Sequence, residues 1–259
     1  MSGNVAIITG SGSGIGAASA VLLASHGWNI VINYASRADN AKAVAKACEE
    51  AGGQAILCKA NVADDADCRR MAAETMAKWG RIDALVNSAG TTRFADHADL
   101  DALSGDDFLE VYRVNVVGPW QMVRAVVPHM KAGGQGAIVN ISSGAALRGT
   151  GSSVAYATSK AALNAMTLSF ARNLGPEIRS NVVCPSMVTG RWHLEHLGEE
   201  KYEAQFTNFA NSTPLKRRVN PEDIASAVVW LIKDAHAVTG QVLLVDAGAS
   251  IGAPPVKKK

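Results

Sequence analysis

Tyr156 and Lys160, in the stretch "YATSK", stand four residues apart directly after a Gly- and Ser-rich run. On a helix, positions i and i+4 share one face, so this spacing sets a phenol beside an ammonium. A nearby positive charge favours the phenolate, which makes the pair a candidate proton donor with its own tuner. Near the other end, "TGSGSGIG", Thr9 to Gly16, follows an apolar run and precedes a helix-like segment. Small residues there let the backbone approach a pyrophosphate, and the helix N-terminus offers free N–H groups and the positive end of its dipole. Gly10, Ser13, Gly14, Ile15 and Gly16 are the residues that would form this cradle. A Tyr/Lys pair also arises by chance on a surface helix, and a glycine turn can be only a turn. The strand before and the helix after are what give this turn its meaning.

These residues need elements to bring them together. Short β-rich runs at 5–9, 29–34, 54–59, 84–89, 136–142, 181–185 and 241–246 alternate with helix-like segments at 15–26, 39–51, 65–79, 104–130, 154–174 and 221–233. Several of the runs are continuously apolar, as in strands covered on both faces. Such alternation predicts an α/β fold: a single doubly wound, Rossmann-type domain, with a parallel seven-stranded sheet and helices on both faces. The domain is expected over 1–252, with 253–259 as a flexible tail. Pro221 followed by "EDI" reads as a helix first turn capped by Asn220. One stretch, 187–218, breaks the rhythm and carries Trp192, Tyr202, Phe206 and Phe209. An insertion of this length suits a lid or binding loop for substrate.

Composition narrows the function classes. At 48% hydrophobic and 19% charged residues, the 259-residue chain has ample material for a core. Net charge is +2, and the terminal Lys257, Lys258 and Lys259 alone supply three positive charges, so no nucleic-acid footprint is present in the body. Cys48, Cys58, Cys68 and Cys184 form no CxxC pair, and "HLEH" at 193–196 has no further ligand set, so no metal is expected. No apolar run is long enough to span a membrane, and the first residues lack the charged n-region of a signal peptide. A cytoplasmic location is the expectation.

The glycine turn, spaced Gly10-x-x-x-Gly14-x-Gly16, together with "NSAG" (87–90), "NISS" (140–143) and "YATSK", resembles the short-chain dehydrogenase/reductase family. The resemblance runs from Thr9 to about Gly248, with the motifs in order. It implies a catalytic acid/base at Tyr156, an oxygen-polarising serine at Ser143, and Lys160 as tuner and ribose contact. It also implies Asn115, in "VNVVG", as holder of a water that links Lys160 to solvent. The chemistry stands on its own terms as well: hydride transfer to a carbonyl builds charge on oxygen, which a fixed donor stabilises and a nearby acid protonates. By the same resemblance Asn87, Ala89 and Gly90 line the adenosine side, Asn61 and Val62 meet the adenine, and Val188 and Thr189 meet the nicotinamide. The chain departs from the family pattern at Ser186, after Pro185, and in "VDAG" at 245–248.

The resemblance implies a carbonyl/secondary-alcohol oxidoreductase using NAD(P), most like a 3-oxoacyl reductase, with a sugar or other secondary-alcohol dehydrogenase as the alternative. A homotetramer built on the 104–130 and 154–174 helices and the last helix-strand unit follows from the same branch. A nucleotide-sensing protein without catalysis is the rival from another class, and the presence of both Tyr156 and Lys160 speaks against it. A serine hydrolase would need a G-x-S-x-G elbow around Ser143, which is absent. For the cofactor, the second strand ends in Tyr34 and Ala35, where a carboxylate would chelate the ribose of NAD. Ser36 and Arg37 follow, a hydroxyl and a guanidinium suited to a 2′-phosphate. NADP(H) is therefore the preferred cofactor, with NAD(H) possible because Ser13 stands where a second basic residue is often found.

Overall fold

The computed structural model describes residues 3–252, and the tail at 253–259 lies outside them. Within that span, strands β1 (Val5–Thr9), β2 (Asn29–Tyr34), β3 (Ala55–Lys59), β4 (Ala84–Asn87), β5 (Gly136–Ile141), β6 (Ile178–Pro185) and β7 (Val242–Val245) form one parallel sheet in the order β3-β2-β1-β4-β5-β6-β7. Continuous apolar runs make these strands because both faces are covered. Ala6 and Ile8 of β1 face one core, which is completed by the helices α1 (Gly14–Ala24), α2 (Ala38–Glu50) and α10 (Pro221–Lys233). Ile7, between them, faces the opposite core, formed with α3 (Asp65–Trp79) and α5 (Gly118–Ala132). The strand order reverses between β1 and β4, and open α/β sheets bind ligands at the carboxyl edge of such a reversal.

Three expectations change. The single helix expected over 104–130 is two: α4 (Gly105–Tyr112) and α5, joined by a π-helical turn at Arg113–Val117 in which Gly118 N donates to Arg113 O. Strand β6 starts three residues before the expected 181, because Arg179 breaks the apolar pattern without breaking the strand. Its guanidinium donates to the carbonyls of Leu231 (2.7 Å), Ile232 and Ala235 (both 3.0 Å), closing the C-terminus of α10. The stretch at 187–218 is not one loop: it contains α8 (Arg191–Leu197) and α9 (Glu199–Ser212), besides the bridge from Val188 to Val219. Two further helices, α6 (Ala145–Arg148) and α7 (Val154–Asn173), follow β5.

Candidate active site

The register aligns polar residues at the carboxyl edge. Thr9 pairs with Asn87, and Asn87 with Asn140. The Thr9 hydroxyl accepts from Ser88 N (3.0 Å) and Ala89 N (3.1 Å), fixing the start of "NSAG" against β1. Asn87 donates to Asn140 (2.8 Å), which donates to Thr167 of α7 (2.8 Å), so a buried polar chain ties the middle of the sheet to that helix. The Oδ1 of Asn87 is buried with no partner among the described residues.

The glycine turn is built to come close to a ligand. Gly10 has φ +64°, and a Cβ there would fall 2.8 Å from Ala89 Cα. A Cβ at Gly16 would fall 2.8 Å from Gly10 O, so this turn tolerates only glycine against its own backbone. Gly14, at φ +56°, has nothing within 4 Å of a Cβ position and opens on free space. Ser13 is the N-cap of α1 but its side chain makes no capping bond, and the first turn holds no acidic residue. The first amides of α1 are thus left without a side-chain acceptor, and with the dipole they suit a pyrophosphate. Asn33 braces the turn by accepting from Gly10 N at 3.0 Å. This cradle fits the phosphates of a dinucleotide. Asn61, whose Oδ1 accepts from Ala63 N at 3.1 Å, is exposed beyond β3; the buried Val62 packs under Gly118, where a Cβ would come within 2.8 Å of its Cγ2. Tyr34 is half-buried at the end of β2, with Ser36 and Arg37 exposed after it. Arg37 is the N-cap of α2 and contacts Glu195 of α8, with Nη1–Oε1 and Nη2–Oε2 both at 3.5 Å.

Ser143 follows β5 and Tyr156 lies in the first turn of α7, where Ser153 caps the helix by accepting from Tyr156 N at 3.2 Å. The Tyr156 hydroxyl end lies deep enough that burial pushes its pKa up to about 12, and the hydrogen bond with Ser143 pulls the opposite way. Lys160, one turn on, is buried at 5% exposure, and its Nζ donates to Ile141 O at 2.9 Å. Burial draws the Lys160 ammonium down to about 8. The Tyr156 pKa is raised, not lowered as expected: desolvation is the largest cause, and the Lys160 ammonium stands 5.7 Å from the phenol ring centre, engaged with a carbonyl. The neighbouring Ser142 is buried and donates to Lys160 O at 3.0 Å, a bond that fixes the helix to the strand end.

Asn115 sits in the π-turn with no exposed surface. Its Oδ1 accepts from Thr91 N (2.8 Å), while its Nδ2 donates to Thr91 O (2.9 Å) and Ser159 Oγ (3.0 Å). The side chain is thus committed to holding the strand-end loop against α7. Gly90 is exposed, and a Cβ there would stand 3.4 Å from Asn115 Oδ1 and 3.5 Å from Lys160 Nζ, so the chain at Gly90 passes directly over both groups. Thr189 donates through its hydroxyl to Asn220 Oδ1 at 2.7 Å, and Val188 bridges Val219, so both are tied to the start of α10.

Two features of the 187–218 stretch had no sequence signal beyond their aromatic content. Trp192 meets the Tyr156 ring edge-on, with centroids 6.1 Å apart. His196 stacks on Phe94 at 3.5 Å, and His193 packs edge-on against Phe206. Among the described residues no group of three or more His, Cys, Asp or Glu side chains is placed to hold a metal ion.

Known proteins resemble the chain over nearly its whole length. A family model described as enoyl-(acyl carrier protein) reductase matches residues 10–250. The chain is 38% identical over 247 residues to a Streptomyces violaceoruber protein named as ketoacyl reductase 2 of granaticin polyketide synthase, covering 95% of this chain and 96% of that one. It is 35% identical to the L-rhamnose 1-dehydrogenase (NAD(P)(+)) of a Sphingomonas species, with 96% of each chain covered. A Burkholderia xenovorans crystal structure described as a short-chain dehydrogenase/reductase superposes with a TM-score of 0.90 at 41% identity, covering 97% of this chain and all of that one. The chain belongs to the short-chain dehydrogenase/reductase family. It is an NAD(P)-dependent oxidoreductase that interconverts a carbonyl and a secondary alcohol.

Proposed function

We propose that the protein reduces a 3-oxoacyl-type carbonyl, with Tyr156 as acid, Ser143 as oxygen donor, Lys160 as ribose contact and Asn115 as organiser of a proton relay. The observation that carries this reading is the meeting of Ser143 and Tyr156 beside Lys160 at the carboxyl edge. The cofactor supplies a hydride. Ser143 holds the substrate oxygen as charge grows there, and Tyr156, kept protonated by burial, gives that oxygen its proton. The side chain of Asn115 is already spent on Thr91 and Ser159. Pro119 has no N–H for the carbonyl four residues before it, so the main-chain oxygen of Asn115 is the group we assign to the relay water.

Gly10, Ser13, Gly14, Ile15 and Gly16 would hold the pyrophosphate, and Asn61, Val62, Asn87, Ala89 and Gly90 the adenosine side. Val188 and Thr189 would meet the nicotinamide. The absence of a carboxylate at Tyr34 and Ala35, with Ser36 and Arg37 exposed behind them, supports NADP(H) as the preferred cofactor and NAD(H) as a usable one. Apolar side chains exposed on α4 (Leu109), α5 (Trp120), α7 (Leu168), α10 (Trp230) and β7 (Val242) support a homotetramer through those elements. No helix among the described residues is long and apolar enough to cross a membrane, and a cytoplasmic site of action fits this reading.

Following reduced-cofactor absorbance with 3-oxoacyl thioesters, simple ketones and sugar lactones tests the assignment, with alcohols and sugars assayed in the reverse direction. Fastest turnover on the thioesters is expected. Turnover confined to sugars would replace it with the sugar dehydrogenase reading, which the L-rhamnose 1-dehydrogenase likeness favours.

A further inference from the structure

Helix α8 lies across the site and is held only at its surface. None of its residues is buried, and it runs between Gly190 at φ +148° and Gly198 at φ +73°, two backbone states that L side chains rarely adopt. Three of its side chains reach three different elements at the carboxyl edge. Trp192 meets Tyr156 of α7, His196 stacks on Phe94 after β4, and Glu195 contacts Arg37 after β2. Glu195 also forms an ion pair with Arg191 of its own helix, Nε to Oε1, at 3.1 Å. Its carboxylate therefore stands between two guanidinium groups. Asp39, the nearest acid of α2 itself, is engaged with Lys42 at 2.9 Å, which leaves Glu195 as the carboxylate that faces Arg37.

We propose that Glu195 is a cofactor-specificity residue, whose carboxylate competes with a 2′-phosphate for the Arg37 guanidinium. The proposal rests on the reading of Arg37 as the 2′-phosphate contact. A guanidinium fork satisfies a carboxylate or a phosphate in the same way, and the two anions repel one another. A ligand with a 2′-phosphate must displace Glu195 from Arg37, whereas one with free ribose hydroxyls leaves the contact intact. Preference for the phosphorylated cofactor is thereby reduced below what Arg37 alone would give. The arm of α8 that carries Glu195 is released by one cofactor and retained by the other. Because the pair is half-exposed, the effect is modest, of the order measured for surface ion pairs.

The test is calorimetric binding of adenosine 2′,5′-bisphosphate and adenosine 5′-monophosphate to the full chain. The proteins compared are wild type, Glu195→Gln, Arg37→Ala and the double variant. Glu195→Gln is expected to tighten the bisphosphate about two- to fivefold, leave the monophosphate unchanged, and lose that gain when Arg37 is also replaced. If Arg37→Ala weakens only the bisphosphate while Glu195→Gln moves both ligands equally or neither, the proposal is overturned and the Arg37 reading stands. If wild type does not prefer the bisphosphate but Glu195→Gln creates an Arg37-dependent preference, the NADP(H) preference is overturned and the competition stands. If neither residue moves the ratio, both fall. All the substitutions lie at exposed positions, and unchanged melting temperatures separate binding effects from misfolding.

Discussion

The Lys160 ammonium lies 5.7 Å from the centre of the Tyr156 ring and donates to the Ile141 carbonyl rather than towards the phenol oxygen. Burial gives the free protein a lysine that loses its proton near pH 8 instead of the ordinary 10.5. The sign follows: the ammonium is present below about pH 8 and lost above it. If that ammonium contacts the ribose, the Kd for NADH is flat up to about pH 7 and rises as the pH passes about 8. Lys160→Ala binds more weakly with no such step. Fluorescence titration between about pH 6 and 9.5 reads this directly, and a wild-type Kd independent of pH would remove the ribose contact.

Tyr156→Phe keeps the ring that Trp192 meets and removes the transferable proton. Turnover is expected to fall by about two to four orders of magnitude, the range for a positioned acid, while the Kd for NADPH changes little. Retention of more than about a tenth of kcat would mean that another group protonates the product.

Adjacent serines separate chemistry from scaffolding. Ser143 is half-buried and its hydroxyl accepts from Ala145 N at 3.1 Å, which leaves its proton available. Ser142 is buried and its proton is spent on Lys160 O. Ser143→Ala is expected to lower kcat/KM roughly a hundredfold or more with little change in melting temperature. Ser142→Ala is expected to cost about 1 kcal/mol of stability and less of the rate, because it removes a buried hydrogen bond between the end of β5 and α7. The reverse ranking in paired kinetic and melting measurements would exchange the two roles.

The sequence made some of this site legible and hid the rest for identifiable reasons. The glycine turn and the Tyr156–Lys160 spacing are local, so their meaning lies within a few residues of each other. The π-turn at Arg113–Val117 is invisible because it differs from an α-turn by the shift of single hydrogen bonds, not by residue type. The pKa of Tyr156 could not follow from spacing, because desolvation depends on what folds over it. Glu195 has its partner 158 residues away, and an acidic residue on a short exposed helix carries no local mark. The early start of β6 was hidden by Arg179, whose charge argues against a strand until the α10 carbonyls it serves are in view.

The departure at "VDAG" has a structural cost that can be measured. Ala247 takes φ +54°, the left-handed region, where a Cβ crowds the following carbonyl oxygen. The conformation is held from both sides. Asp246 accepts from Gly248 N at 2.9 Å and from Ser250 N at 2.8 Å, and Leu215 N donates to Ala247 O at 3.2 Å. Glycine adopts this conformation without the clash, although it also widens the unfolded ensemble. The steric relief, about 1–2 kcal/mol, exceeds the entropic loss of about 0.4–1 kcal/mol. Ala247→Gly is therefore expected to raise stability by about 0.5–1 kcal/mol, read as a higher urea midpoint at unchanged m-value. A lower midpoint would show that the strain at Ala247 is smaller than the chain entropy that alanine removes from the unfolded state.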